Sequence, residues 1–250
     1  MGKISSIIRT AVGKKRFCSA VILAAGKGSR FSETSPKQFF TIDGKPVLLH
    51  SALAFEESEL IDEIIVVTSE DETEHCRNML LSGGVNKLTR VVTGGDTRGK
   101  SAKNGFEAIN PAAEFVAIHD AARCLITPEM IEAAFESAFV YGGAACAAVC
   151  TDTLKKTDVS DTVIETVDRK NIWLVQTPQI FNANMYRAAV YYAEKDGIDA
   201  TDDCALCERL GFKIKMVDVG KTNMKITYPE DVIIAEAILK SRKEKKETAE

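Results

Sequence analysis

The sequence predicts an α/β protein with a doubly wound, mostly parallel β-sheet and a protruding β-hairpin arm. Three observations support this fold class. Short, almost continuously apolar runs recur along the 250-residue chain, as is typical of strands buried on both faces. Segments with helical periodicity separate these runs, and strands that alternate with helices indicate βαβ units. One polar, β-branched segment, residues 151–167, interrupts the alternation and is interpreted as the arm.

The strands and helices can be placed in chain order. The apolar runs interpreted as strands are residues 19–23, 64–68, 88–92, 115–118, 144–149 and 213–217. The segments with 3.6-residue periodicity, interpreted as helices, are residues 46–57, 101–109, 128–141 and 185–195. Ligands of such sheets bind beyond the carboxyl ends of the strands, so residues that directly follow a run are candidates for a site.

The hairpin segment reads "TDTLKKTDVSDTVIETV", with two β-branched runs around Asp158-Val159-Ser160-Asp161. It carries too little apolar surface to belong to the core. It is either an exposed hairpin of the same subunit or an arm, at about residues 151–170, that reaches a partner subunit.

The domain organisation is expected to be simple. The sequence shows no internal repeat and no low-complexity linker, so residues 17–250 are expected to form a single domain that carries the arm. Residues 1–16 are basic and contain no acidic residue. A transit peptide or an N-myristoylation signal would fit parts of this segment, but a disordered basic extension is the interpretation adopted.

Composition limits the class of protein. A formal net charge of −4 argues against a general nucleic-acid binder, and no apolar run approaches the roughly 20 residues that span a bilayer. The seven cysteines, without a recognisable signal peptide, indicate reduced thiols in a cytoplasmic protein. Cys204 and Cys207 form a single CxxC motif, which we interpret as buried helix thiols rather than as half of a zinc site.

The first candidate site is the stretch "VILAAGKGSRFSETSPKQ", residues 21–38, in which a glycine-containing loop follows the first strand. Gly26 and Gly28 lack a Cβ atom, so backbone N–H groups can approach a phosphate closely. Arg30 and Lys37 add full positive charges to the same loop. A tight turn alone would explain the glycines, but the added cations favour a polyphosphate ligand.

The second candidate is Asp120, which directly follows the predicted strand 115–118 and its neighbour His119. A carboxylate at this edge of the sheet, close to a polyphosphate, suggests Mg²⁺, which binds one or two carboxylates together with substrate oxygens. The alternative is an aspartate that caps the loop and pairs with Arg123. His119 is interpreted as a buried structural histidine rather than as a base.

The third candidate is "VVTGGDTRGKSAKNG", residues 91–105. Gly94 and Gly95 remove side chains where a flat base could lie against the backbone, and Asp96 and Ser101 offer hydrogen bonds. The alternative is a strand that ends in a tight turn, with Ser101 capping the next helix.

Three further residues, Arg169, Thr201 and Lys225, lie late in the chain. They occur in the stretches "VDRKNIWLVQTPQIF", "ATDDCAL" and "TNMKITYPEDV". The last of these also indicates a helix start at Tyr228-Pro229-Glu230-Asp231, which places Lys225 on the segment before that helix.

The ordered set of motifs resembles the 2-C-methyl-D-erythritol 4-phosphate cytidylyltransferase family. The motifs are "LAAGKGSRF" with "PKQ", "GGDTR…S", "HDAAR", "DT.K", "VDR…W..QTPQ", "TDD" and "KIT.PEDV". The resemblance covers roughly residues 17–239. It implies a Rossmann-like sheet with a hairpin arm, a homodimer formed through that arm, and transfer of a cytidylyl group from CTP to methylerythritol phosphate in isoprenoid precursor biosynthesis.

The resemblance also implies roles for individual residues. Arg30, Lys37 and Lys225 match residues at the reacting phosphates, and Asp120 matches the Mg²⁺ ligand. The nucleotide-binding positions are Ala24, Ala25, Gly26, Gly28, Gly94, Gly95, Asp96 and Ser101. The substrate-binding positions are Asp120, Ala121, Arg123, Thr153, Arg169 and Thr201, of which Thr153 and Arg169 lie on the arm. A ribitol-5-phosphate cytidylyltransferase and a non-catalytic nucleotide-sensing module are the two alternatives.

Overall fold

The computed structural model describes residues 16–26, 31, 36–200 and 202–248. The strands are β1 (Cys18–Leu23), β2 (Thr41–Ile42), β3 (Lys45–Pro46), β4 (Glu63–Thr68), β5 (Leu88–Thr93), β6 (Phe115–Asp120), β7 (Gly143–Val149), β8 (Leu154–Thr157), β9 (Val163–Val167), β10 (Trp173–Asn182) and β11 (Lys215–Asp218). The helices are α1 (Val47–Glu57), α2 (Thr73–Ser82), α3 (Arg98–Glu107), α4 (Pro128–Tyr141), α5 (Ala183–Lys195), α6 (Asp203–Arg209) and α7 (Asp231–Glu247).

Within the described residues, the central sheet has seven strands in the order β11-β7-β10-β6-β1-β4-β5. The pairs β1–β4, β1–β6, β4–β5 and β7–β11 are parallel, whereas β10 is antiparallel to β6 and to β7. The predicted mostly parallel sheet is therefore confirmed. The carboxyl ends of β1, β4, β5 and β6 lie on one edge of the sheet, where the predicted loops meet.

The core lies on both faces of the sheet, because alternate residues of each strand point to opposite sides. In β1, Ala20 and Ile22 pack with α1 and α4 on one face, and Val21 packs with α3 and α5 on the other. The strand is buried on both faces, which explains its continuous apolar run.

Helix α3 packs very closely on the sheet at Gly105. A Cβ atom at this position would lie 2.7 Å from Cγ2 of Val67 and closer still to Cγ1 of Val21. Glycine is therefore required for the distance at which α3 lies on β1 and β4, and not for the conformation of its own backbone.

Local signals fix some helix ends. Helix α4 has the predicted bounds because the Thr127 side chain accepts a hydrogen bond from the Met130 amide, Pro128 occupies the first turn and Gly142 ends the helix at a φ of 84°. The predicted helices at 101–109 and 185–195 begin earlier than expected, at Arg98 and Ala183. Their caps are Thr97 and Asn182, so the interpretation of Ser101 as a cap is wrong.

The arm forms as predicted. Strands β8 and β9 pair antiparallel as a two-stranded sheet apart from the central one, and most of their residues are exposed.

Most of the predicted basic extension, residues 1–16, lies outside the described residues. Its last residue, Arg16, is described, and its guanidinium lies 4.5 Å from the ring centroid of Phe139, so the folded part already includes this residue.

All seven cysteines are free and buried, and Cys204 and Cys207 lie in α6 as predicted. Burial raises the pKa of both thiols, which keeps them protonated at neutral pH. Among the described residues, no helix combines the length and the apolar character needed to cross a membrane.

Candidate active site

A cavity of about 680 Å³ opens at the carboxyl ends of the parallel strands. The residues that follow β1, β5 and β6 line it, as expected for a doubly wound sheet. The predicted residues that it brings together are Ala24, Ala25, Gly26, Lys37, Gly94, Gly95, Asp96, Ser101, Asp120, Ala121 and Lys225.

Asp120 lies at the last position of β6 and its side chain is only 12% exposed. Its Oδ1 atom accepts a hydrogen bond from Nε of Arg98 at 3.1 Å, and its Oδ2 atom accepts one from Nζ of Lys225 at 2.7 Å. Burial alone would raise the pKa of Asp120, but the charges of Arg98 and Lys225 hold this pKa far below its ordinary value. The carboxylate is therefore ionised at neutral pH and forms ion pairs with Arg98 and Lys225.

Arg98 connects Asp120 to a second carboxylate. Its NH1 atom lies 2.7 Å from Oδ2 of Asp203, which is 1% exposed, and the Tyr186 hydroxyl donates to the other oxygen of Asp203 at 2.5 Å. Burial alone would lower the pKa of Arg98, but the two carboxylates hold it above its ordinary value. Lys225, Asp120, Arg98 and Asp203 thus form one chain of alternating charges, the Asp120 cluster.

Sequence reasoning missed Arg98 as a site residue, although it lies within the quoted "GGDTR" motif. It occupies the first position of α3, whose first turn contains no acidic residue. The positive end of the helix dipole disfavours a cation there, so a basic residue at a helix start needs acidic partners from elsewhere in the fold. A basic residue at a helix start without a local acidic partner was therefore the sequence signal that could have identified Arg98. Its acidic partners in the structure are Asp120 and Asp203.

Lys37 and Lys225 approach the cavity from different parts of the chain. Lys37 belongs to a short 3₁₀ turn, and its Nζ atom donates to the carbonyl of Ile226 at 3.0 Å. Lys225, one residue earlier than Ile226, donates to Asp120. The short segment before α7 therefore carries Lys225 and also binds the side chain of Lys37.

The structure shows a packing role for Gly94 and Gly95. A Cβ atom on Gly94 would lie 2.5 Å from Cβ of Ala25 and 2.9 Å from Oγ of Ser101, and one on Gly95 would meet Cβ of Lys100 even more closely. The protein itself fills the space, so these glycines allow the β5–α3 turn to pack against the loop after β1. The Ser101 hydroxyl holds this turn by accepting from the Gly95 amide at 3.1 Å.

His119 lies behind the site and not in it. It is fully buried, its Nδ1 atom lies 3.1 Å from Oγ1 of Thr177, and burial lowers its pKa to about 3. A neutral, inaccessible imidazole agrees with the structural interpretation. The same Thr177 hydroxyl accepts a hydrogen bond from the Asp120 amide at 3.0 Å and so helps to place the carboxylate.

Other predicted residues do not line the cavity. The Arg123 guanidinium donates to the backbone carbonyl of Asn223 at 3.0 Å, so the alternative pair of Arg123 with the Asp120 carboxylate is not the arrangement observed. Thr153 and Arg169 are exposed at the base of the arm, where Arg169 donates to the carbonyl of Thr151. Gly28, Arg30 and Thr201 lie outside the described residues.

The cavity also contains residues that sequence reasoning did not select. These are Leu23, Gln38, Thr68, Ser69, Glu70, Thr93, Thr97, Arg98 and Ala122. Leu23, Thr68 and Thr93 are the last residues of β1, β4 and β5, so the order of strands in the sheet, more than any motif, places them here.

Comparison with known proteins agrees with this geometry. The family model for 2-C-methyl-D-erythritol 4-phosphate cytidylyltransferase matches residues 18–241. This chain belongs to that family. A cytidylyltransferase of this name from Caldanaerobacter subterraneus subsp. tengcongensis is 44% identical over 223 residues, covering 89% of this chain and 98% of the relative.

Other members of the family support the same assignment. The cytidylyltransferase from Alkaliphilus metalliredigens is 38% identical over 227 residues, 90% of this chain and 94% of its own. The crystal structure of 4-diphosphocytidyl-2C-methyl-D-erythritol synthase from Anaerococcus prevotii superposes with a TM-score of 0.80 at 29% identity, over 90% of this chain and 96% of that one. The chain is thus a nucleotidyltransferase by family and Rossmann-like by fold.

The Asp120 cluster leads to a prediction about stability. The Arg98→Met variant keeps an unbranched side chain but leaves Asp120 and Asp203 without their shared guanidinium. Removing one partner of a buried ion pair costs about 3–5 kcal/mol. Because the Arg98 side chain is 31% exposed, we expect the free energy of unfolding to fall by a smaller amount, about 2–3 kcal/mol, in urea titrations followed by circular dichroism.

Lys100→Met in the same helix is the matched control. Lys100 pairs with Asp96, and the two side chains are 62% and 89% exposed, so its loss should change stability by less than about 0.5 kcal/mol. Equal losses in the two variants would show that the Asp120 cluster does not stabilise the fold as described.

Proposed function

We propose that this enzyme forms 4-diphosphocytidyl-2-C-methyl-D-erythritol and pyrophosphate from CTP and 2-C-methyl-D-erythritol 4-phosphate, in the cytoplasm, as a step of isoprenoid precursor biosynthesis. The observation that carries the proposal is family membership over residues 18–241, together with a cavity that presents Lys37, Lys225 and Asp120. A phosphate oxygen of the polyol attacks the α-phosphorus of CTP. A new P–O bond forms as the bond to the bridging oxygen of the β-phosphate breaks, and pyrophosphate leaves.

The reaction needs no general base. A phosphate monoester has a second pKa of about 6, so most of the nucleophile is already a dianion at neutral pH. His119, the residue before Asp120, is buried, and burial lowers its pKa to about 3, which is consistent with a mechanism that removes no proton. Catalysis then consists of positioning the two substrates and stabilising the charge that builds up around the α-phosphorus.

The cations of the site supply that stabilisation. Lys37 and Lys225 approach the cavity from two directions, and we assign them to the reacting phosphates together with Arg30. Arg98 is already engaged by two carboxylates, so its part is to hold Asp120 and not to bind phosphate. Lys37 and Lys225 are thus assigned to bind the substrate, and Arg98 is assigned to hold Asp120 in place.

We assign the remaining predicted residues to the two substrates. The loops after β1 and β5 would contact the nucleotide through Ala24, Ala25, Gly26, Gly28, Gly94, Gly95, Asp96 and Ser101. Asp120, Ala121, Arg123 and Thr201 would contact the polyol phosphate. Exposed backbone groups of these loops can distinguish cytosine by hydrogen bonds to its amino group and ring carbonyl.

Cytidylyltransferases of this type are generally metal-dependent, and we propose Mg²⁺ on Asp120 as the resident metal. Mg²⁺ typically binds one or two carboxylates plus phosphate oxygens and water. Asp120 fits this pattern, since it is the buried carboxylate among the three that line the cavity, whereas Asp96 and Glu70 are exposed. Among the described residues there is no group of three or more histidine, cysteine or acidic side chains, so substrate oxygens would complete the shell. When bound, the metal would supply positive charge at the phosphates.

The proposed substrate can be tested directly. Purified enzyme should release pyrophosphate from CTP with methylerythritol phosphate at a kcat/KM at least about 100-fold above that with ribitol 5-phosphate. The reason is that ribitol 5-phosphate would leave polar groups of the polyol site without hydrogen-bond partners, which lowers kcat/KM. Mass spectrometry identifies the product, and Lys37→Met is the control for contaminating activity. Faster turnover of ribitol 5-phosphate, or no pyrophosphate with either polyol, would contradict the proposal.

The metal assignment predicts the behaviour of Asp120→Asn, which keeps the shape of the side chain and removes its charge. We expect the Mg²⁺ concentration at half-maximal activity to rise at least about tenfold, because a neutral amide is a weaker ligand for a hard cation. Glu70→Gln, which neutralises an exposed carboxylate on the rim of the same cavity, is the control and should leave the Mg²⁺ titration unchanged. An unshifted titration in Asp120→Asn would rule out Asp120 as the ligand.

We also propose that the arm works in trans in a homodimer. A lone two-stranded hairpin is marginally stable in water, and β8 and β9 expose most of their residues, including Val163 at 55% and Ile164 at 59%. A two-fold dimer would give each arm the same surface on its partner. Thr153 and Arg169 would then reach the polyol phosphate in the other subunit's site, which suits the bidentate guanidinium of arginine.

A mixed dimer tests this arrangement. Arg169→Ala and Lys37→Ala are each expected to be nearly inactive alone. After unfolding and refolding together, about half of the dimers are mixed, and each has one site with intact Lys37 and the partner's intact arginine, so activity should recover to roughly a quarter of wild type. Recovery no greater than the sum of the separate variants, with mixed dimers verified by mass, would place Arg169 in its own subunit's site.

A further inference from the structure

The segment that carries Lys225 has no regular secondary structure of its own. It comprises residues 219–227, between β11 and α7, and we call it the Lys225 loop. Among the residues that the structure describes, one backbone hydrogen bond joins its active-site end to the body of the protein, from the Ile226 amide to the Ala122 carbonyl at 2.8 Å. Side-chain contacts must therefore fix much of its position.

Asn223 provides several of these contacts. It is fully buried, two residues before Lys225, and its Nδ2 group donates to Oε1 of Gln176 and to the carbonyl of Thr177, both at 2.9 Å. Gln176 in turn donates to the carbonyl of Gly220 at 2.9 Å, so the pair closes the loop onto strand β10. A buried amide that uses both of its hydrogens is an expensive group to lose, because its partners would be left unsatisfied.

Asn223 is also linked by hydrogen bonds to Arg123 and, through Thr177, to Asp120. The backbone carbonyl of Asn223 accepts a hydrogen bond from the Arg123 guanidinium at 3.0 Å. Thr177, which accepts from Asn223 through its carbonyl, uses its hydroxyl to accept the Asp120 amide. Asn223 thus lies at the point where Lys225, Arg123 and the Asp120 strand are joined by hydrogen bonds.

We infer that Asn223 is a positioning residue, which sets where Lys225 and Arg123 stand relative to Asp120. This inference rests on the proposed function, in which Lys225 meets the reacting phosphates and Arg123 the polyol phosphate. Lysine has a long, flexible side chain, so its charge is preorganised only if its backbone is fixed. Lys37 depends on the same placement, because it donates to the carbonyl of Ile226 in this loop.

The effect of losing Asn223 should appear in kcat more than in CTP binding. Displacement of a catalytic group by about 1 Å can cost on the order of 100-fold in rate. We expect Asn223→Ala to lower kcat by about 10- to 100-fold, to raise the KM for methylerythritol phosphate through Arg123, and to change the KM for CTP by less than about threefold.

A double-variant cycle separates positioning from a general structural effect. If Asn223 acts through Lys225, then Asn223→Ala should lower kcat far less in a Lys225→Met background than in wild type. Ser19→Ala is the matched control. It removes a buried hydrogen bond of 2.6 Å to Glu63 at the far end of β1, so it should lower the free energy of unfolding while leaving kcat unchanged.

If Asn223→Ala does not fold, Gln176→Met replaces it in the cycle, because it removes one of the two acceptors of the Asn223 amide. Additive effects of Asn223→Ala and Lys225→Met on kcat, or wild-type kcat in a folded Asn223→Ala protein, would overturn the inference. Wild-type enzyme that turns over CTP with methylerythritol phosphate in the same assay leaves the proposed function standing in either case. An inactive wild type would refute the proposed function itself.

Discussion

The buried carboxylate of Asp120 is the constraint on which the site depends. A charge at the end of a central strand is costly to bury unless cations compensate it. Arg98 and Lys225 provide that compensation from two distant parts of the chain, at 3.1 Å and 2.7 Å. Because both side chains bind the same carboxylate, the start of α3 and the segment before α7 must lie next to each other at the edge of the sheet.

A second carboxylate extends this constraint away from the cavity. Asp203 opens α6 and is held by Arg98 and by the Tyr186 hydroxyl of α5. One polar side chain from each of α3, α5 and α6 therefore satisfies the others next to the site, and of these Tyr186 and Asp203 are buried, whereas Arg98 is 31% exposed. Buried ion pairs of this kind contribute little net stability compared with apolar residues of the same shape, but they specify one geometry and penalise others.

The sequence predicts best those elements whose signals are local. Helix α4 is predicted to the residue because its cap, its proline and its terminal glycine all lie within or next to it. Strand β10 was not predicted, although it is central in the sheet. Its Gln176-Thr177-Pro178-Gln179 stretch is polar and contains a proline, which argues against a central strand. The pairing of β10 shifts register between Val175 and Gln179, so the strand bends at the unfavourable residues and is stabilised by partners far away in sequence.

The tight seat of α3 at Gly105 has a consequence for how sequence variation in this protein should be interpreted. Any side chain at position 105 would collide with Val21 and Val67 and lift the helix from the sheet. The first residue of that helix is Arg98, whose hold on two carboxylates tolerates little movement. In a genetic screen for loss of function, Gly105, which is buried and does not line the cavity, would therefore be recovered together with the catalytic residues.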